Sequence, residues 1–440
     1  MRTRLAPMIA LLSAPLLCVA VTACSGGSPA ASTPPLSAQS SRVARTPDGL
    51  ERPDTKAIFN VHVFDPNDAG LGVNPEAGLY QDAQGDLFGT TKAGGQYTFG
   101  NAFEVTGTQY TVLHDFAGGV SDGAYPIGVF VAGSNGVLYG TTSHGGNAAC
   151  EGQGCGTVFS LTPQASGYTE KVLYSFTGPP DGAVPQAGVV LYNNVLYGTT
   201  SKGGASDGGT VFALPLGAAG DKVLHSFSGA DGTKPNAALL VHGGNFYGTT
   251  SGGGNRGGGT VFEISPAGQF QVLHTFGLKL DGVAPEAPLV AAKGKLFGTT
   301  SLGGSAGFGM VFSLQGTTSY SDIYDFQGPQ AGDGSDPRAA LTLAPSGALF
   351  GTTTQGGTGT CASKNGDVFG CGTLFKLEEN GLGTYTETVL HQFEGVPDDD
   401  GAQPASALVL DGDELFGTAN NGGEGGSICP AGCGILYRYN

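Results

Sequence analysis

Apolar residues along this chain come in short bursts of four to six, each closed by glycine. Residues 238–285 show the pattern: ALLVHGGNFYGTTSGGGNRGGGTVFEISPAGQFQVLHTFGLKLDGVAP. Four pieces stand out, at residues 239–242, 245–250, 259–264 and 271–276. All are rich in β-branched and aromatic side chains and bounded by glycine turns, so all four are predicted to be strands. No stretch sustains a helical period.

The same four pieces return along the chain. Aligned on Gly-Thr-Thr, the copies start at Gly89, Gly140, Gly198, Gly248, Gly298, Gly351 and Gly417, the last reading Gly-Thr-Ala. The kelch-like period near 50 residues fits propeller blades rather than solenoid coils. Seven repeats of four antiparallel strands predict an all-β, seven-bladed β-propeller. The ends support this. Residues 59–64 (Phe-Asn-Val-His-Val-Phe) match a fourth strand, whereas the chain stops after a third-strand match, Gly434-Ile-Leu-Tyr437. The N-terminal strand is therefore expected to pair with residues 434–439 in the last blade, which closes the ring without an open seam.

Residues ahead of the repeats read as export machinery. Arg2 and Arg4 precede an apolar run over residues 8–21, broken by Pro15 and too short to span a membrane well. The run ends in Val21-Thr22-Ala23-Cys24, which resembles the lipobox of bacterial lipoproteins. That resemblance implies cleavage after residue 23 and acylation of Cys24; an ordinary signal peptide cut near Ala23 is the alternative. Acyl chains contribute about 0.8 kcal/mol per buried CH₂. Residues 24–55, rich in Ser, Ala and Pro, read as a disordered tether. The propeller is then expected over residues 56–440. Ser25 after the Cys, by likeness to other lipoproteins, favours the outer membrane, so the expected partner at this end is the membrane itself.

Composition narrows the picture further. The chain has 79 Gly in 440 residues, but they recur at fixed repeat positions and so do not signal low complexity. A net charge of −17 argues against nucleic acid as a partner. A closed ring without an open edge is expected to be a monomer.

The loop between second and third strands is eight residues long in blades 1, 3, 4 and 5. It is longer in blades 2, 6 and 7, at residues 143–155, 354–371 and 420–433. Insertions confined to one face of a repeat array mark a binding face. Six cysteines fall as local pairs inside these three loops: Cys150/Cys155, Cys361/Cys371 and Cys429/Cys433. Three local disulfides are expected, each worth roughly 2–3 kcal/mol on the chain-entropy estimate, and they require an oxidising compartment. A zinc reading fails for want of a second ligand pair in the same blade.

Two further positions recur. Asp-Gly-x-x-Pro appears at Asp122, Asp181, Asp231, Asp281, Asp333 and Asp400, with Leu71 in the first copy. It reads as turn chemistry. A ring of carboxylates holding a structural cation such as calcium is the alternative; no other cofactor is implied. The fourth strand carries His62, His114, His225, His274 and His391 at one position, with Tyr174 and Tyr324 in the other copies, which suggests packing between blades. Gly-Thr-Thr is expected to let blade backbones approach and its hydroxyls to bond across. Candidate binding residues are those that break the repeat on the insertion face: His144, Tyr97, Phe99, Phe308, Asp398 and Asp399. No catalytic or metal-binding motif emerges.

The running pattern Leu-Tyr-Gly-Thr-Thr, Gly-Gly, Gly-Thr-Val-Phe, Val-Leu-His-Ser-Phe, Asp-Gly-x-x-Pro resembles the Gloeo/Verruco tandem repeat of bacterial surface proteins. The resemblance implies an exported propeller and carries no catalytic residues. The expected function is a surface-anchored module that binds a glycan or protein partner. The alternative is a polysaccharide-active enzyme working at the channel mouth.

Overall fold

The computed structural model describes residues 58–65, 70–217, 220–277, 280–317, 319–361, 368–381, 383–396, 400–423, 429 and 431–440. Cys24, the tether, Asp398 and Asp399 lie outside the described residues, as do parts of the long loops of blades 6 and 7.

Seven four-stranded antiparallel sheets follow the repeat. Blade 4 is typical, with strands Leu240–His242, Asn245–Thr250, Thr260–Ile264 and Phe270–Thr275 in spatial order. In blade 7 the fourth strand is Ile58–Val63, paired antiparallel with Ile435–Tyr439. The ring closes as its sequence predicts. The first strands meet around the axis: a side chain at Gly78 of blade 1 would touch Val129 of blade 2 and Ala407 of blade 7.

Each Gly-Thr-Thr glycine lies opposite the third-strand aromatic, as Gly248 does to Phe262. A Cβ there would sit 2.5 Å from the Phe262 ring. The glycine therefore makes room for a ring within its own blade, rather than for a neighbouring backbone as the sequence suggested. That ring then meets the phenylalanine that ends the previous blade. Phe64–Phe103, Phe116–Phe159, Phe176–Phe212, Phe227–Phe262, Phe276–Phe312, Phe326–Phe375 and Phe393–Tyr437 are all edge-to-face, with centroids 5.0–5.7 Å apart. These rings are fully buried. Each such pair contributes about 1 kcal/mol beyond its burial, so one contact repeated seven times holds the ring.

The first threonine of the tripeptide does reach across. Thr141, Thr199, Thr249, Thr352 and Thr418 donate to carbonyls of Ala187, Ala237, Ala287, Ser406 and Ala77 in the next blade. The second threonine stays within its blade, as in the Thr200–Thr210 hydroxyl pair at 2.8 Å. Every fourth strand also carries a bulge just before its His or Tyr, for example between Val261/Phe262 against His274/Val272. A bulge adds a residue and re-aims the side chain that follows.

Candidate functional site

In five copies the bulge turns the His or Tyr onto the Asp of the following Asp-Gly-x-x-Pro; His274 stays 3.8 Å from Asp281, and His62 precedes the copy that has Leu71 in that place. His225 lies 2.9 Å from Asp231, His391 2.9 Å from Asp400 and His114 3.2 Å from Asp122. Tyr174 and Tyr324 donate to Asp181 and Asp333 at 3.0 and 2.9 Å. The carboxylates also accept turn amides, such as Ala117 and Gly123 onto Asp122. Burial opposes ionisation of Asp122, but the bonds from His114, Ala117 and Gly123 outweigh it and hold its carboxyl below the usual range. These acids are thus engaged at the end of the outermost strand. They are turn locks, and the recurring His and Tyr are their partners.

The proline of the motif packs on the preceding blade: a Cβ at Gly259 would meet Pro285 at 2.7 Å. The residue before it is unusual. Asn74, Tyr125, Val184, Lys234, Ala284, Asp336 and Gln403 all have φ between 55° and 59°. That left-handed conformation is rare outside glycine and an outlier for a β-branched residue such as Val184. Strain of this kind persists only where the surroundings over-determine it. Here each N–H donates to a loop carbonyl of the previous blade, from Asn74 to Cys433 through Gln403 to Cys371, at 2.7–2.9 Å. In six blades the carbonyl accepts the amide that follows Thr-Thr or Thr-Ala, as in Ser201 N–H to Val184 at 3.0 Å. In blade 2 the Ser143 hydroxyl donates to the Tyr125 carbonyl at 3.2 Å. The clamps join the loops after second and fourth strands, which fixes both on one face.

The same left-handed φ and the same amide bond recur at these seven positions while the side chains differ completely. The ring therefore displays Asn, Tyr, Val, Lys, Ala, Asp and Gln from equivalent mounts around the inner strands. Neighbouring positions add charge: Lys92 pairs with Glu76 at 2.8 Å, and Arg338 with Glu286 at 3.0 Å and Asp336 at 2.9 Å. Burial raises the Glu286 carboxyl, with Arg338 working against it.

His144 belongs to this neighbourhood. It is half-buried and lines a cavity of about 260 Å³ with Lys92, Tyr125, Ile127, Ser143 and Gln186. Its Nδ1 lies 2.9 Å from the Ser143 hydroxyl and its ring is edge-on to Tyr125 at 5.4 Å. Burial, then the charges of Lys202 and Lys92, depress its pKa and favour the neutral ring. Tyr125 was missed by sequence reasoning. Its signal is a variable residue inside an otherwise repeated motif.

Phe99 and Phe308 have a structural place in their loops. Aligned on the left-handed clamp, they occupy the place of Cys155, Cys371 and Cys433, because these five carbonyls all accept that amide. The disulfides Cys150–Cys155, Cys361–Cys371 and Cys429–Cys433 are all formed. Phe308 covers Gly328 and Phe99 lies near Gly118, as the sulfurs of blades 2 and 6 lie against Gly178 and Gly395. A phenylalanine and a disulfide are thus alternative covers for the same loop. Tyr97 stays outside this arrangement, 47% exposed, beside a second cavity of about 490 Å³ lined by His114, Asp115 and Asp122.

One more position varies between blades. Four residues before the recurring His or Tyr, the fourth strand presents Tyr110, Phe270 or Tyr320, which stack on His62, His225 and His274 of the preceding blade at 4.3, 3.7 and 4.2 Å. Elsewhere that place holds Glu170, Asp221 and Glu387. Burial, then Asp122, push Glu170 up to about 7, with His114 opposing; burial and Asp333 do the same to Glu387, also to about 7. Ile58 takes the place at the closing junction.

Comparison with known proteins fits this architecture. No curated protein matches the sequence. Among solved structures, the extracellular domain of BT4673 from B. thetaiotaomicron aligns with TM-score 0.51 and 11% identity, over 86% of this chain and 39% of that one. The Niastella koreensis GH74 enzyme aligns with TM-score 0.50 and 14% identity, over 82% of this chain and 53% of that one. The present chain thus spans about two fifths of the first and about half of the second, and the likeness is one of fold. The Gloeobacter/Verrucomicrobia repeat matches residues 51–177, 148–369 and 291–440. With its repeats matched from residue 51 onward, the chain belongs to the Gloeobacter/Verrucomicrobia repeat family.

Proposed function

We propose that this propeller is an exported binding module whose loop face takes up a protein partner at the cell envelope. One observation carries the reading. Among the described residues, the large apolar side chains that stand exposed are Tyr97, Val120, Leu280, Leu302, Phe308, Val368 and Val396. All seven belong to loops after a second or fourth strand, the face that also bears the disulfides and the left-handed ring. The opposite face has short turns such as Asn193-Asn194 and Gly243-Gly244. Exposed apolar side chains gathered on one side mark interaction surfaces. Five of the seven are aliphatic, which suits a protein surface better than a sugar, because sugars stack on aromatic rings.

The three disulfides support this reading, because such bonds persist in oxidising compartments. A lipid on Cys24 would hold it at the envelope.

The test is capture from envelope extracts followed by affinity measurement with the purified partner. Tyr125→Ala combined with Leu302→Ser should weaken binding at least tenfold, whereas Asn194→Ala on the opposite face should leave it unchanged. Equal loss in both variants, or binding to a glycan panel and to no protein, overturns the reading.

A further inference from the structure

The junction between blades 1 and 2 differs from the others in its chemistry. At three junctions an aromatic ring covers the recurring histidine. Over His114 the next blade brings Glu170 instead. His114 Nε2, an Asp122 oxygen and a Glu170 oxygen all lie within 4.8 Å of one another. The other two carboxylate substitutions, Asp221 and Glu387, face Tyr174 and Tyr324 rather than a histidine. Only here do an imidazole and two carboxylates converge among the described residues.

A second observation points the same way. Oε1 of Glu170 is buried and has no hydrogen-bond partner. A buried carboxylate oxygen without a donor is costly, and buried charges are paired or coordinate metal. Among the described residues no lysine or arginine pairs with Glu170. A cavity of about 490 Å³ is lined by two of the three residues, His114 and Asp122.

We propose that His114, Asp122 and Glu170 bind one divalent transition-metal ion, best met by zinc, as a clamp across blades 1 and 2. One nitrogen and two oxygens suit zinc or manganese better than calcium, which takes oxygen ligands throughout. Ligand atoms around tetrahedral zinc stand about 3.4 Å apart, given bonds of about 2.1 Å. A gap at the 4.8 Å limit must therefore close by about 1.4 Å, which rotation of the long Glu170 side chain would supply. The ion would take the place of the proton between His114 Nε2 and Asp122, and its remaining positions would open to the cavity beside Tyr97.

Isothermal titration of the chelator-treated full chain with zinc, manganese and calcium chlorides tests this. The expected result is one equivalent of zinc, with calcium at least tenfold weaker. Glu170→Gln and His114→Asn should each weaken zinc binding at least tenfold, while Glu387→Gln, the same substitution at an equivalent place, should leave it intact. Circular dichroism on each variant separates loss of the site from loss of the fold. No stoichiometric zinc uptake by the native chain overturns the proposal. So does uptake that is unchanged in a folded Glu170→Gln variant.

Discussion

Two neighbouring junctions solve the same packing problem with opposite chemistry. Between blades 4 and 5, Tyr320 lies flat on His274 at 4.2 Å. Its hydroxyl donates to the Asp281 carbonyl at 3.0 Å. Between blades 5 and 6, the equivalent place holds Glu387 against Tyr324 and Asp333, with one carboxylate oxygen buried and unpaired. Closer to the axis the two junctions share the edge-to-face rings and the left-handed clamp. The difference shows which layer holds the ring together. Where the inner layers are constant, the outer position is free to carry an acid that weakens it.

Substitutions can break that comparison. Tyr320→Ala should cost about 2 kcal/mol, less than truncating a fully buried aromatic because Tyr320 is partly buried, whereas Glu387→Ala should cost little or nothing; urea unfolding of both variants reads the gap directly. If the two losses are equal, the outer layer is not what distinguishes these junctions. Glu387→Tyr should convert the acidic junction to the aromatic kind and raise stability by about 1 kcal/mol. In a double-mutant cycle with Tyr324→Ala that gain should vanish.

The smallest effect is one of pH. The folded-state pKa of Glu387, about 7, lies above the ordinary 4.5, so the folded protein holds this proton more tightly than the unfolded chain. Stability from that proton is fully present below pH 4.5 and is lost as pH rises through 7. Asp221 shifts in the same direction, through burial and Asp181. Unfolding midpoints should therefore be lower at pH 8 than at pH 5, by less than the full shift implies because Glu387 is partly solvated. Glu387→Gln should narrow that difference; an undiminished difference would assign the effect elsewhere.

Much of this fold was legible because it is written seven times. Strand order, blade count and the closing pair all follow from spacing and from the mismatch of the two ends. The disulfides follow from their place inside three long loops. The left-handed ring was not legible, because sequence periodicity reports side chains and that ring is a backbone property that any residue from Val184 to Lys234 fills. The place of Phe99 and Phe308 in the loops was hidden for a related reason. Their equivalence to Cys155 and Cys371 appears only when the shared carbonyl clamp is seen. The convergence of Glu170 on His114 needs the offset between adjacent fourth strands, which the bulge sets and the alternating pattern hides.

The pairing of Ile58–Val63 with Ile435–Tyr439 has a temporal side. The first propeller strand to be synthesised is the one whose partner is made last. Until then blade 7 has no outer strand, blade 1 has only one neighbour, and Phe64 has no Phe103 locked beside it. Closing so long a loop depends on contacts of very high sequence separation, which makes it slow. A nascent chain halted before residue 435 should therefore remain an open, protease-sensitive crescent, and the final few residues act as the latch.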